Sequence, residues 1–151
     1  MISVRLAEPD DAPGMSKLLI ASITELCVAD HRNDPDILAL WLANKTADGV
    51  GRWFANPDNT LLVAERDGSL AAAGGINVAR EIILNYVAPG HRFAGVSSAL
   101  LAAMEGVLGL GEATLSSTAT ARKFCRTRGW VETGTEETWA RMTAYPMRKM
   151  L

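Results

Sequence analysis

At 151 residues the chain has room for one compact domain, residues 1–151, and not for two. Hydrophobic residues make up 48% of it and charged residues 21%, which excludes a disordered, collagen-like or coiled-coil chain. Its 15 basic and 17 acidic side chains leave a formal net charge of -2, so no sequence-independent attraction to nucleic acid or an anionic membrane is expected.

A domain this size typically buries roughly 70% of the surface its unfolded chain exposes, enough to stand without disulfide or structural metal. The longest apolar stretches, Ser69 to Val78 and Ala99 to Met104, fall short of the roughly 20 residues that cross a bilayer. Met1 to Arg5 leads straight into acidic Glu8, Asp10 and Asp11, and Cys27 and Cys125 form no CxxC pair. Both features predict a cytoplasmic protein with reduced thiols and no secretory leader. Cys27, His31, His91 and Cys125 lack a recognised zinc-ligand spacing, and no metal is expected.

Taken in chain order, Ile2 to Glu8 alternates apolar and polar residues as a half-buried strand does. Asp10 and Asp11 cap a helix whose Met15, Leu18, Leu19, Ser22, Ile23 and Leu26 make one apolar stripe. A polar break at Asp30 to Asn33 precedes a second helix, opened by Asp34 and Pro35, with Ile37, Leu38, Trp41 and Leu42 inward. Leu61 to Glu65 and Leu70 to Val78 read as strands joined by the Asp67-Gly68 turn, and Ile82 to Val87 as a third. Val96, Ala99, Leu100, Ala103, Met104 and Val107 then repeat at helical spacing. Ala113 to Ser116 is a short strand and Ala119 to Arg128 a short helix stopped by Gly129. Trp130 to Leu151 leaves room for two final strands. Helices and strands mixed along the whole chain argue an α/β layer fold with a mixed, partly antiparallel sheet.

The chemistry concentrates in Ile83 to Ser97, a strand, a tight loop with Pro89, Gly90 and Gly95, and a helix start. Free amides at a helix N-terminus, aided by the macrodipole, receive phosphate oxygens without any lysine. Gly95, Ala94, Ser97 and Ser98 are small enough for a pyrophosphate to approach the backbone. A P-loop is excluded because Val96 stands where its lysine belongs, and a dinucleotide fingerprint because the third glycine and the later acid are missing.

Here the sequence resembles the GNAT superfamily of N-acetyltransferases. Val87, Pro89, Arg92 and Gly95 match the acetyl-CoA motif, with Ser97 as the last small residue. Thr118, Ala121, Phe124, Cys125 and Gly129-Trp130 look like its later Asn-x-x-Ala-x-x-Phe-Tyr and Gly-Phe segment, and Val4 to Ala7 with Asp10 to Ala12 like its opening. The resemblance implies an α/β (α+β) fold with a mixed, mainly antiparallel central sheet and helices on both faces. It implies acetyl transfer from acetyl-CoA to a primary amine of a small molecule or peptide, by direct attack in a ternary complex. The alternative is an acetyl-CoA-binding sensor or interaction module on the same fold, and a homodimer is compatible with either.

By the same resemblance Asn85, Tyr86 and Val87 would hold pantetheine and the thioester carbonyl. Arg92, Phe93, Ala94, Gly95, Val96, Ser97 and Ser98 would take the pyrophosphate, with Thr118 in place of the family's asparagine. Arg122, Lys123 and Arg126 read as a solvated helix face. Cys125 replaces a tyrosine that often serves as general acid, and its ordinary reading is a small buried apolar residue. The base is open among Glu81, Glu65, His31 and a water chain, so Glu81 and Cys125 stand as catalytic candidates. Asp30 and His31, in the only dense polar break between apolar helices, are expected to contact the acceptor.

Overall fold

The computed structural model describes residues 1–151. β1 (Ile2–Leu6) is followed by a 3-10 turn and then by four helices: α1 (Ala12–Leu26), α2 (Val28–His31), α3 (Pro35–Leu42) and α4 (Ala47–Ala55). β2 (Asn59–Arg66), β3 (Ser69–Asn77) and β4 (Glu81–Val87) lead through a second 3-10 turn to α5 (Val96–Leu108). β5 (Glu112–Ser117), α6 (Arg122–Thr127), β6 (Val131–Glu132), β7 (Glu137–Trp139) and β8 (Met142–Met150) complete the chain. The eight-stranded sheet runs β1-β2-β3-β4-β5-β8-β6, with β7 paired to β8. All its pairings are antiparallel except β4 with β5. No helix is long and apolar enough to cross a membrane.

Capping fixes much of this locally. The Asp34 carboxylate accepts from the amides of Asp36 and Ile37 at the start of α3, and Thr46 Oγ1 accepts from Gly49 at the start of α4. Asp67 and Gly68 both have positive φ, 52° and 81°, as the two-residue hairpin turn between β2 and β3 requires.

β2 is buried on both faces, so its side chains divide by period two. Leu62 and Ala64 meet Val96, Leu100, Leu101 and Met104 of α5, together with Trp130 and Met147. Leu61 and Val63 meet Met15, Leu18 and Leu19 of α1 and Val50 of α4. The Ala71 to Gly75 run of β3 lets α5 lie directly on the sheet. A Cβ on Gly74 would fall 2.8 Å from Met104 Sδ and 3.1 Å from the Leu100 methyls, so even alanine there forces these α5 side chains to move. A third cluster, Ile23, Cys27, Ile37, Trp41 and Met142, closes the end of the sheet nearest α2 and α3.

Three expectations are corrected. The polar stretch at Asp30 belongs partly to α2, which ends where Arg32 and Asn33 turn left-handed at φ 53° and 58°. α4 was not legible because Gly49 and Gly51 weaken its helical signal. Gly49 is there because a Cβ would sit 2.3 Å from the carbonyl oxygen of Asn44. The C-terminal stretch forms three strands rather than two, with β8 inserted between β5 and β6.

Lys45, between α3 and α4, is only 7% exposed, and its Nζ donates to the Trp41 carbonyl at 3.2 Å and to Asn44 Oδ1 at 2.7 Å, neither of them charged. Burial pushes its ammonium down from 10.5 to about 8. The folded state therefore sheds this proton before the unfolded state does. The resulting cost is complete below pH 8 and disappears as pH rises past about 10.5. At about 1.36 kcal/mol per pH unit it is of the order of 3 kcal/mol. Lys45→Met is expected to gain about 1 to 2 kcal/mol in urea unfolding at pH 7, because two acceptors lose their donor in exchange. It should also flatten the rise in stability between about pH 8 and 10.5 that is expected of the parent protein.

Candidate functional site

β4 and β5 are paired only at Glu81 with Thr114 and Ile82 with Leu115. Beyond these they part, since β4 continues against β3 to Val87 and β5 continues against β8 to Ser117. A bulge starts the separation: Gly75 opposes Leu84 and Ile76 opposes Ile82, leaving Ile83 as the extra residue on β4. A bulge bends its strand, here away from β5. The facing backbone edges of β4 after Ile82 and of β5 after Leu115 have no partner in each other. They border a cleft of about 540 Å³.

At the mouth of the cleft the chain turns through Pro89–His91 and two left-handed residues, Phe93 at φ 62° and Gly95 at φ 83°, before α5 begins at Val96. The first helical bond is Ala99 to the Gly95 carbonyl, and no amide from Phe93 to Ser98 donates to a protein acceptor. This row of free N–H groups, at the positive end of a 13-residue helix, fits phosphate oxygens. Asn85 Oδ1 and His91 Nδ1, on two residues that line the cleft, are also buried without a partner. Buried polar atoms are ordinarily paired, so both fit a ligand that supplies the missing hydrogen bonds.

Of the residues expected to hold the cosubstrate, Asn85, Tyr86, Val87, Arg92, Phe93, Gly95, Val96, Ser97, Ser98 and Thr118 all line the cleft. Ala94 does not line the cleft, and its methyl packs against the core cluster that includes α5. Phe93 is 92% exposed, and the Arg92 guanidinium lies 4.6 Å from its ring centre. Thr118 Oγ1 accepts from the Ala121 amide at 3.1 Å, within the loop that leads into α6.

Arg128 also lines the cleft, and the sequence reading passed over it. Its guanidinium donates through Nε and Nη2 to Ser98 Oγ in the first turn of α5, and through Nη1 to the Phe124 carbonyl and Thr127 Oγ1. It stacks 3.9 Å above the Phe124 ring. A fixed positive charge is thus held beside the free amides. The spacing carried the signal, since Phe124, Cys125 and Arg128 share a helical face, while Arg122 and Arg126 share another. Those two stay on the solvent side as expected, with 32% and 52% of their side chains exposed, and both pair there with Glu132, at 2.6 and 3.3 Å.

Four other expectations change. His31 is fully buried and outside the cleft. Its Nε2 donates to the Ile23 carbonyl at 2.9 Å while Nδ1 accepts from the Asn33 amide at 3.0 Å, so the ring has no free nitrogen for an acceptor. Asp30, buried on α2, faces inward as well. Its carboxylate accepts from Ala119 N at 2.7 Å, Thr120 N at 3.2 Å and Thr120 Oγ1 at 2.5 Å, pinning the loop between β5 and α6. Glu81 stands at the closed end of the strand pair, accepts from Asn77 Nδ2 at 3.1 Å and does not line the cleft. Glu65 is paired with Arg5 at 2.6 Å near the far edge of the sheet.

Cys125 is buried at the cleft wall, where burial pushes its thiol up against the opposing effect of a Ser117 hydrogen bond. The C-terminal end of α1 supplies a wall that the sequence did not single out: Ser22, Leu26 and Cys27, facing Tyr86. Burial pushes Cys27 up to about 12, with Asp30 adding to the effect, and it raises the Tyr86 phenol above its ordinary range, with Cys27 adding. No three His, Cys, Asp or Glu side chains gather where they could share a metal ion.

A gap between two parallel strands, opening onto unpaired helix-start amides, defines a class of α/β protein that seats an extended, phosphate-bearing ligand. A family model for the acetyltransferase (GNAT) domain matches residues 41–151, and the chain belongs to the GNAT acetyltransferase family. The fold is similar to that of a GCN5-related N-acetyltransferase from Rhodopseudomonas palustris, with TM-score 0.84 and 21% identity over 99% of this chain and 95% of that one. It is also similar to the PaiA N-acetyltransferase of Thermoplasma acidophilum in complex with coenzyme A, with TM-score 0.83 and 17% identity over 100% and 99% of the two chains. A third structure, yncA of Salmonella typhimurium with its cofactor acetyl-CoA, aligns with TM-score 0.69 and 14% identity over 99% and 94%. At such identities the likeness concerns the fold. No curated protein matches the chain.

Proposed function

We propose that this protein transfers the acetyl group of acetyl-CoA to a primary amine by direct attack in a ternary complex. The observation that supports this reading most is the opening between β4 and β5 leading to the free amides of Phe93 to Ser98. Pantetheine has amides that can pair with the unpartnered edges of β4 and β5, as a guest strand would. The amides at the start of α5, with Arg128, take the phosphates. Acetyl-CoA brings an activated thioester, and the chain positions it and polarises its carbonyl through backbone N–H groups near Tyr86 and Val87.

Cys125 is no acid in this reading. A thiol with pKa near 8.5 leaves as its anion at pH 7 at a cost of only about 2 kcal/mol, so protonation by an enzyme group gains little. Cys125→Ala is expected to lower kcat less than tenfold, against the roughly 10²-fold loss that follows removal of a general acid. A larger loss at unchanged acetyl-CoA affinity would place the thiol in the transition state. Release of free CoA thiol from acetyl-CoA, measured across a panel of amines, tests the activity. Calorimetric binding of acetyl-CoA with no release from any amine would leave a binding module instead.

A further inference from the structure

We propose that the acceptor enters this cleft as an uncharged, weakly basic primary amine, of the kind at the N-terminus of a peptide or an amino-acid amide, and not as the alkylammonium of a lysine side chain or polyamine. The proposal rests on the transferase reading and names its substrate class.

The first ground is that no aspartate or glutamate lines the cleft. Glu81 is turned to Asn77, Glu65 to Arg5, and the Asp30 carboxylate is occupied by three donors from Ala119 and Thr120. His31 is sealed with both ring nitrogens engaged. His91 lines the cleft from the phosphate loop at the start of α5, with its Nδ1 buried and unpartnered, and is the one imidazole in the lining.

The second ground is what does face the acceptor. Around the end walled by α1 stand Ser22, Leu26, Cys27 and Tyr86, all uncharged, and burial holds the thiol and phenol protonated at neutral pH. The fixed charges in the lining are the guanidiniums of Arg92 and Arg128, both positive. An ammonium entering here would lose its hydration with no counter-ion and with like charge nearby, whereas a neutral amine has no such cost.

A neutral nitrogen also needs no base before it attacks. Its lone pair forms the N–C bond to the acetyl carbon, the C–S bond breaks, and the proton the nitrogen then sheds ends on the departing sulfur through water. The products are the acetamide and CoA thiol, with atoms and charge balanced.

The test compares alaninamide, a weakly basic α-amine probe, with Nα-acetyl-lysine amide, whose ε-amine has a pKa of about 10.4. kcat/KM for CoA release is measured from about pH 6 to about pH 11.5 on the purified full chain, so that both amine pKa values lie inside the range. The expected result is a tenfold rise per pH unit that levels off at each acceptor's own pKa, near about 8 for the α-amine and about 10.4 for the ε-amine. At pH 7 the α-amine should lead by at least about tenfold. A shared inflection between about pH 6 and 7 for both probes would reveal an enzyme base and overturn the proposal, and so would preference for the ε-amine at pH 7. Acetyl-CoA binding by calorimetry without release from either probe at any pH would instead overturn the transferase reading, and this proposal with it.

Discussion

Gly95→Glu is expected to abolish acetyl-CoA binding while leaving the fold intact. Gly95 holds φ at 83° immediately before α5, and a Cβ there would meet nothing closer than Ile2 Cδ1 at 3.9 Å. Space is therefore available, and the cost of a side chain is the left-handed backbone alone, about 1 to 2 kcal/mol. Gly95→Ala carries that strain and nothing else, so its affinity should stay within a few-fold of the parent. Glutamate adds a carboxylate beside the free amides of Phe93 to Ser98, where it competes for the same donors and repels the phosphates. Losing two hydrogen bonds to charged oxygens, at about 1.5 to 3 kcal/mol each, corresponds to at least about 10²-fold in affinity. Arg128→Ala removes one charge from the same end and should weaken binding about tenfold. Titration calorimetry reads the three variants, with thermal unfolding as the fold control. Unchanged affinity in a folded Gly95→Glu protein would show that the phosphates bind elsewhere.

The second large effect concerns Asp30. Asp30→Ala is expected to destabilise the protein by about 2 to 4 kcal/mol, since two backbone amides and one hydroxyl lose a charged acceptor that is itself buried. The loop it holds carries Thr118, whose hydroxyl accepts from Ala121, and leads to Cys125 and Arg128 on the cleft wall. Acetyl-CoA affinity should therefore fall together with stability. Asp30→Asn should recover little, because its NH2 group would confront the donors of Thr120. Urea unfolding and calorimetry on both variants check this. A variant with parental stability and only a raised KM for the amine would show instead that Asp30 contacts the acceptor directly.

What the amino-acid order determined by itself is the local chemistry of this protein. Alternation in Ile2 to Leu6, the Asp67-Gly68 turn, the cap at Asp34 and the strand, loop and small-residue helix start from Ile83 to Ser98 each depend on neighbours a few residues away. Their backbone needs are met or refused locally, so the loop and helix start that carry the free amides were legible, glycine and all. What lies across the cleft was not. Asp30 and the loop at Thr120 are 90 residues apart in the chain, and only their packing shows that a polar break between helices is an internal strut. His31 looks like an exposed imidazole until Ile23 and Asn33 occupy both its nitrogens. Arg128, among several arginines of one short helix, is selected by which face α6 turns to α5, and Glu81 is set aside by the two registers at which β4 still holds β5. Side-chain direction at such positions is decided by strand register, helix rotation and burial. These are set by long-range contacts whose energy no local stretch of sequence contains, and so the tertiary structure alone decided which charged groups line the cleft.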